Sequence, residues 1–224
     1  MAHDENKAFL RRVPLFAGLN ESQLETLAAG SARRSYPKGR TIVAEGETSQ
    51  SMFILLAGRA KVQRSDSEGK EVILAVIGAG EFFGEMSLID DAPRSASVIT
   101  IEPCEFMSVS KEAFKSMLLQ SSDVAMAVMR GLVRRLREAD RKIETLALLD
   151  VYGRVARVLL DFSEEVAGER VVRNKLPRQE IAKMIGASRE MVSRVMKGLE
   201  IDGYIVPLPE GRLALREKLS NYIS

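Results

Sequence analysis

Two short stretches of the chain combine residue types that do chemistry at spacings that let them act together. The first runs Phe83-Gly-Glu-Met-Ser-Leu88, then Ile89-Asp-Asp-Ala92, then Pro93-Arg-Ser-Ala-Ser-Val98. Gly84 opens what reads as one short helical turn, and its missing side chain lets the backbone approach a ligand closely. A helix start offers unsatisfied N–H groups and a positive dipole end to an anion. Arg94 adds a charged fork that fits phosphate, and Ser95 a hydroxyl donor. Glu85 is repelled by phosphate, but its carboxylate accepts readily from sugar hydroxyls. Carboxylate and guanidinium together suit a sugar phosphate better than a free anion. On the residues alone, the alternative is a Glu85–Arg94 ion pair that braces a loop and binds nothing.

The second stretch is Leu176-Pro-Arg-Gln-Glu-Ile-Ala-Lys-Met-Ile-Gly-Ala-Ser-Arg-Glu-Met-Val-Ser-Arg-Val-Met-Lys197. Its spacing predicts a helix-turn-helix. Ile181, Ala182 and Ile185 give a first helix its inner face, and Gly186 permits the turn. Ser188 caps a second helix with Val192, Val195 and Met196 inward. Arg189, Glu190, Ser193 and Arg194 then project outward near the start of the second helix, the region that enters the major groove in this motif. Arginine bonds guanine O6 and N7 together, and glutamate accepts from cytosine N4. From Arg173 to Lys197, seven Lys/Arg stand against two Glu, whereas the whole chain has a net charge of only +2. Local basicity of this kind points to a polyanion; the alternative is a merely solvated charged helix.

The elements that must carry these stretches follow from periodicity. Asn20 to Ala29 reads as a helix capped by Asn20, with Gln23 three residues on. From Thr41 to Ser110 short strand-like runs alternate with turn signals at Glu45-Gly46, Ala57-Gly58, Glu68-Gly69 and Gly78-Ala-Gly80, which predicts a jelly-roll β-barrel or sandwich. A long helix from about Ser122 to Leu149 carries Ala125, Met129, Leu132, Leu136, Ala139, Ile143 and Leu146 at spacings that alternate between four and three. That is an a/d heptad seam, flanked by Arg134, Arg135, Arg137, Glu138 and Arg141, and it predicts a two-stranded coiled coil in a homodimer rather than a helix packed only on its own domain. Asp150-Val-Tyr-Gly reads as a hinge. Three helical stretches follow, and Tyr204-Ile-Val-Pro-Leu-Pro-Glu-Gly-Arg-Leu-Ala-Leu reads as the wing of a winged helix. The expected division is 1–121, 122–149 and 150–224, an α+β architecture of 224 residues.

Composition excludes other classes. The single cysteine, Cys104, forms no disulfide within the chain and supplies no four-thiolate cluster. It lies in a strand-like stretch and reads as a small buried residue rather than a nucleophile. The single histidine, His3, falls in what reads as a frayed terminus. Metal, haem and iron–sulfur cofactors are therefore not expected, and without a nucleophile–base pair or a Walker loop neither is an enzyme. Apolar runs such as Met52 to Ala57 stop far short of the ~20 residues of a membrane span. With the polar N-terminus, this predicts a cytoplasmic protein without a membrane partner.

Gly-Glu-x-Ser-Leu followed by Pro-Arg-Ser-Ala resembles the phosphate-binding cassette of cyclic-nucleotide-binding domains. Pro37-Lys-Gly, Ser67-Glu-Gly-Lys-Glu-Val-Ile-Leu74 and Leu146-Ala-Leu-Leu-Asp-Val151 extend the likeness along the whole chain, to the catabolite activator (cyclic-AMP receptor)/FNR family of bacterial transcription regulators. The resemblance implies that Gly84, Glu85, Arg94 and Ser95 hold the cyclic phosphate and ribose, with Met86 and Ser87 inside the same cassette. It also implies that Val62, Leu74 and Phe83 line the pocket. Arg189, Glu190 and Arg194 would read bases, with Ser188 and Ser193 on the same helix. Arg178, Gln179 and Lys197 would touch phosphates, which position the protein without reading sequence. A two-fold dimer on palindromic double-stranded DNA is implied, and the loop Asp66 to Glu71 would meet RNA polymerase.

One departure bears on the effector. In the cyclic-AMP sensors a Thr-Ser pair on the long helix contacts adenine; the matching positions here are Ala139 and Asp140. Alanine offers no hydrogen bond, and an ionised carboxylate only accepts. Adenine offers its amino group to Asp140, while guanine offers N1–H and an amino group side by side. Cyclic AMP is thus the default effector, and cyclic GMP or cyclic di-GMP is its rival. Asp140 could instead be an outward residue paired with Arg137 or Arg141. A regulator of the same fold that binds DNA constitutively, without ligand, is the remaining reading.

Overall fold

The computed structural model describes residues 2–11 and 13–223. It divides into two compact units, Met1–Gly69 with Leu74–Leu136, and Lys70–Ile73 with Arg137–Ser224.

The first unit begins with helix α1 (Ala2–Leu10), so the terminus expected to fray is helical, although the side chain of His3 lies outside the described residues. Helix α2 (Glu21–Ala29) starts at a capping box. The Asn20 side chain accepts from the Gln23 amide at 3.0 Å, and the Gln23 side chain accepts from the Asn20 amide at 3.0 Å. Then come β1 (Ser31–Tyr36), β2 (Thr41–Val43), β3 (Ser51–Ala57), β4 (Ala60–Ser65), β5 (Glu71–Ile77), β6 (Phe82–Phe83), the short helix α3 (Met86–Ile89), β7 (Ser97–Thr100) and β8 (Cys104–Ser110). Helices α4 (Lys111–Gln120) and α5 (Ser122–Leu148) follow. The strands form two four-stranded sheets, ordered β1-β8-β3-β6 and β2-β7-β4-β5.

Two-residue periodicity sends alternate side chains of the first sheet to different cores. Leu55, Phe83, Cys104 and Phe106 meet Val43, Ala60, Ile77 and Val98 of the second sheet. Met52, Ile54, Phe82, Met107 and Val109 instead face the helices, packing with Leu24, Leu27, Phe114, Met117, Val124 and Val128. Adjacent Phe82 and Phe83 thus belong to opposite faces, which fixes the backbone that leads into Gly84. Gly131 of α5 brings the helix against this strand: a Cβ there would lie 2.8 Å from the tip of the Phe82 ring. Cys104 is buried, and burial pushes its thiol up.

The α5 seam differs in part from its sequence reading. Leu132 packs against the core of its own unit, and Ala125 is half-buried. The exposed large apolar residues are Met126, Met129, Val133, Leu136, Ile143, Leu146 and Leu148. Heptad spacing alone leaves the choice between neighbouring stripes open; the demands of the domain core decide it.

In the second unit Asp150 caps α6 (Val151–Asp161), its side chain accepting from the Gly153 amide at 2.8 Å. A hairpin of β9 (Glu164–Val166) and β10 (Glu169–Val172) comes next, turning through Ala167 and Gly168, both at positive φ. This hairpin was not expected, because strands rich in glutamate carry no apolar alternation. Helices α7 (Arg178–Ile185) and α8 (Arg189–Ile201), then β11 (Ile205–Pro207) and β12 (Leu213–Leu215), complete a sheet ordered β11-β12-β10-β9. Val155, Leu159, Ile181, Ile185, Val192, Val195, Met196, Leu199 and Leu215 share its core.

Candidate ligand and DNA sites

The cassette is built on the end of β6. Gly84 has φ +84°, a conformation that costs other residues about 1–2 kcal/mol, and a Cβ there would overlap the Arg94 guanidinium. Arg94, 4% exposed, donates from Nη1 to the Gly84 carbonyl at 2.6 Å. Its Nη2 donates to the Ser49 hydroxyl and the Ser51 carbonyl. Burial works against its charge, which Glu85 and Glu47 sustain. Asp91, also at positive φ, forms an ion pair with Lys111, and Lys115 lies 3.8 Å away.

Glu85 is fully buried, and burial raises its carboxyl above the ordinary range against the pull of Arg135 and then Arg94. It makes no ion pair with Arg94. Its partner is Arg135 of α5, whose Nη1 donates to Oε1 at 2.6 Å, while Nη2 donates to the Phe82 carbonyl. The Arg135 guanidinium also lies over the Phe82 ring, 4.9 Å from its centre. The bracing alternative is therefore realised with a different cation. Oε2 of Glu85 and Nε of Arg94 are buried with no hydrogen-bond partner. An acceptor and a donor left so in one cradle fit a ligand that brings a hydroxyl and an anionic oxygen.

The other expected ligand residues scatter more widely. Ser87 is buried, Met86 is 47% exposed at the start of α3, and Ser95 is exposed. Phe83 stacks on Phe53 with ring centres 5.3 Å apart, and half-buried Val62 packs on the same cluster. Leu74, 40% exposed, stands outside that cluster. Ala139 and Asp140 are exposed on α5. Asp140 makes no hydrogen bond or ion pair among the described residues, so the expected alternative pairing with Arg137 or Arg141 is absent.

In the second unit Gly186 ends α7 in the left-handed conformation, φ 66°, and Ser188 caps α8 by accepting from the Met191 amide at 3.1 Å. The buried face of α8 leaves Arg189, Glu190, Ser193, Arg194 and Lys197 exposed together. The Ser193 hydroxyl is turned back onto the Arg189 carbonyl at 2.8 Å. Gln179 is exposed, while Arg178 is half-buried, with burial lowering its pKa and Glu200 opposing. No group of three or more candidate metal ligands occurs among the described residues, and no described helix is long and apolar enough to cross a membrane.

Comparison with known proteins matches the two segments that carry these residues. The cyclic nucleotide-binding domain family covers residues 33–121, and the Crp-like helix-turn-helix domain family covers residues 153–221. The chain belongs to the catabolite activator/FNR family of transcription regulators. It is a cyclic-nucleotide-binding, DNA-binding regulator of that family. The cyclic AMP receptor protein of Thermus thermophilus is 34% identical over 204 residues, which cover 91% of this chain and 93% of that one. A CRP-like cAMP-activated global transcriptional regulator of Mycobacterium tuberculosis is 32% identical over 200 residues, covering 88% and 89%. Among solved structures, the c-di-GMP responsive global regulator CLP of Xanthomonas campestris aligns with TM-score 0.74 and 30% identity over 88% of this chain and 99% of that one.

For a family member, the residues that sequence reasoning missed are Arg135, Ser49 and Ser51. In the sequence Arg135 reads only as a charge beside the seam. Yet it continues the buried face of Val124, Val128 and Gly131, and an arginine on such a face needs a buried acceptor. Nothing in their local sequence marks Ser49 and Ser51.

Proposed function

We propose that the chain is a homodimeric transcription regulator whose affinity for palindromic DNA is set by a cyclic nucleotide, with cyclic AMP the default effector. The observation that carries this reading is the buried, unpartnered Oε2 of Glu85 beside Gly84 and the Arg94 guanidinium. A ribose hydroxyl would donate to Glu85, and the cyclic phosphate would take up Arg94, with Ser95 and the backbone around Met86 and Ser87 adding donors. Val62, Leu74 and Phe83 would flank the base. Because Arg135 joins Glu85 to α5, a ligand engaging Glu85 would bias α5 and, through the Asp150 hinge, the DNA-reading helix. Arg189, Glu190 and Arg194 would read bases in the major groove. Arg178, Gln179 and Lys197 would touch phosphates, with Ser188 and Ser193 on the recognition helix, and the loop Asp66 to Glu71 would contact RNA polymerase.

A second reading rests on Asp140. An exposed carboxylate that only accepts favours guanine, so cyclic GMP or cyclic di-GMP would replace cyclic AMP. Titration calorimetry of nucleotide-stripped protein with the three nucleotides, repeated on Arg94→Ala, tests both readings. Micromolar or tighter binding of one nucleotide, lost in the variant, supports the reading and names the effector. No binding by any of the three overturns it in favour of a constitutive DNA-binding regulator.

A further inference from the structure

Arg94 stands between two stretches of chain, and one lysine reaches both. On one side is the segment Glu47 to Ser51. The Arg94 amide donates to the Glu47 carbonyl at 2.9 Å, and its Nη2 donates to the Ser49 hydroxyl and the Ser51 carbonyl. On the other side is the loop Asp90 to Pro93, which joins α3 to Arg94. Lys111, the first residue of α4, touches each stretch. Its backbone amide donates to the Gln50 carbonyl at 2.8 Å, and its ammonium pairs with the Asp91 carboxylate. Lys115, one turn further along α4, lies 3.8 Å from the same carboxylate. The loop has local support at Asp90, whose side chain accepts from the Ala92 amide at 3.0 Å. Asp91 holds φ 59°, a conformation uncommon outside glycine, although aspartate tolerates it better than most residues. Helix α4 is a firm anchor for it, capped by Ser110 and buried in the core through Phe114 and Met117.

We propose that Lys111, acting through Asp91, is a positioning residue for the effector phosphate: the pair straps the cassette loop to α4 at the spacing from Ser49 and Ser51 that presents Arg94. This rests on the reading of the cassette as a nucleotide site. Both residues act through Arg94 rather than on the ligand. The Asp91 and Lys111 side chains are 61% and 21% exposed, and ion pairs so open to water add little to global stability. The consequence of the pair therefore lies in where it holds the loop. A plain charge effect predicts something different. By charge alone, loss of the Asp91 carboxylate would strengthen a nearby anion site, and loss of the Lys111 ammonium would weaken it. A strap is broken by either loss, so both weaken binding, and losing the second partner adds nothing to losing the first.

The experiment titrates the full nucleotide-stripped chain with cyclic AMP, cyclic GMP and cyclic di-GMP in turn. It compares wild type with Asp91→Asn, Lys111→Met, the double variant of these two, and Lys111→Arg, with urea unfolding of each. Asparagine keeps the tolerance for positive φ and removes the charge. Asp91→Asn and Lys111→Met are each expected to lower affinity for the nucleotide that binds by about fivefold. The double variant should lose no more than either single one, Lys111→Arg should bind nearly as wild type does, and urea midpoints should barely move. If Asp91→Asn binds as tightly as wild type or more tightly, or if the two losses multiply in the double variant, the proposal is overturned while the nucleotide site stands. A wild type that binds none of the three nucleotides overturns the nucleotide reading and the proposal with it.

Discussion

Removing Arg135 should strand the Glu85 charge, and the size of that effect follows from the local geometry. Glu85 is fully buried, its Oε1 has one donor at 2.6 Å, and its Oε2 has none. In Arg135→Met the long apolar stem stays over Phe82, but the carboxylate loses its side-chain donor and its nearest cation. Breaking a buried pair by removing one partner costs roughly 3–5 kcal/mol; because the Arg135 side chain is 30% exposed, about 3 kcal/mol is expected. In a Glu85→Gln background no charge is stranded, so the same substitution should cost only about 1 kcal/mol, the lost bond to the Phe82 carbonyl. Urea unfolding of the four proteins at neutral pH should therefore give a coupling energy of about 2 kcal/mol. The pH dependence has a definite sign. Burial already raises the Glu85 carboxyl, and losing Arg135 raises it further. Stability linked to a raised carboxyl is present below its unfolded value and is lost as pH rises through the folded one. The Arg135→Met penalty should thus be full at alkaline pH and shrink on acidification, as the pH falls through the raised value of the folded carboxyl toward the ordinary carboxylate range. Additivity within about 0.5 kcal/mol, or a penalty that grows on acidification, would refute the reasoning.

Other expectations concern single positions. Gly84→Ala combines a left-handed φ with overlap onto Arg94, so calorimetry should find effector affinity reduced at least a hundredfold, with roughly 2–3 kcal/mol lost from stability in urea. Ala167 holds φ 52° in the β9–β10 turn, where asparagine is tolerated and a β-branched residue is not; thermal melts should show Ala167→Asn stabilised by roughly 0.5 kcal/mol and Ala167→Val destabilised by at least about 1 kcal/mol. On DNA, Arg194→Ala should cost about 1–3 kcal/mol and relax preference at one base position. Lys197→Ala should instead weaken binding to all sequences alike and lower the salt slope by about 1, as read by fluorescence anisotropy at several salt concentrations.

The legible parts of the chain are those where local chemistry and tertiary need agree. Asn20, Asp150 and Ser188 were read as caps or as a break, and each accepts from a backbone amide at its helix start. Gly186 and the inner faces of the two helices beside it follow from turn chemistry and periodicity alone. The alternating burial of β3 and β8 was not legible residue by residue, because both faces of their sheet are covered and both are apolar. The β9–β10 hairpin was hidden for the opposite reason, since Glu164, Glu165 and Glu169 are exposed. Within the cassette, Gly84, Glu85 and Arg94 were readable from residue type, but the partner of Glu85 was not. Arg135 is fifty residues away, and only the packing of Gly131 on Phe82 brings it there.

The most direct test of the account is DNA affinity with and without effector at one fixed salt concentration. A duplex enriched from a random pool by the effector-bound protein would be titrated by fluorescence anisotropy against nucleotide-stripped protein, then against protein saturated with the nucleotide found by calorimetry. The dissociation constants should differ by tenfold or more, with the difference abolished in Arg94→Ala. Equal affinities with and without a nucleotide that demonstrably binds would contradict it.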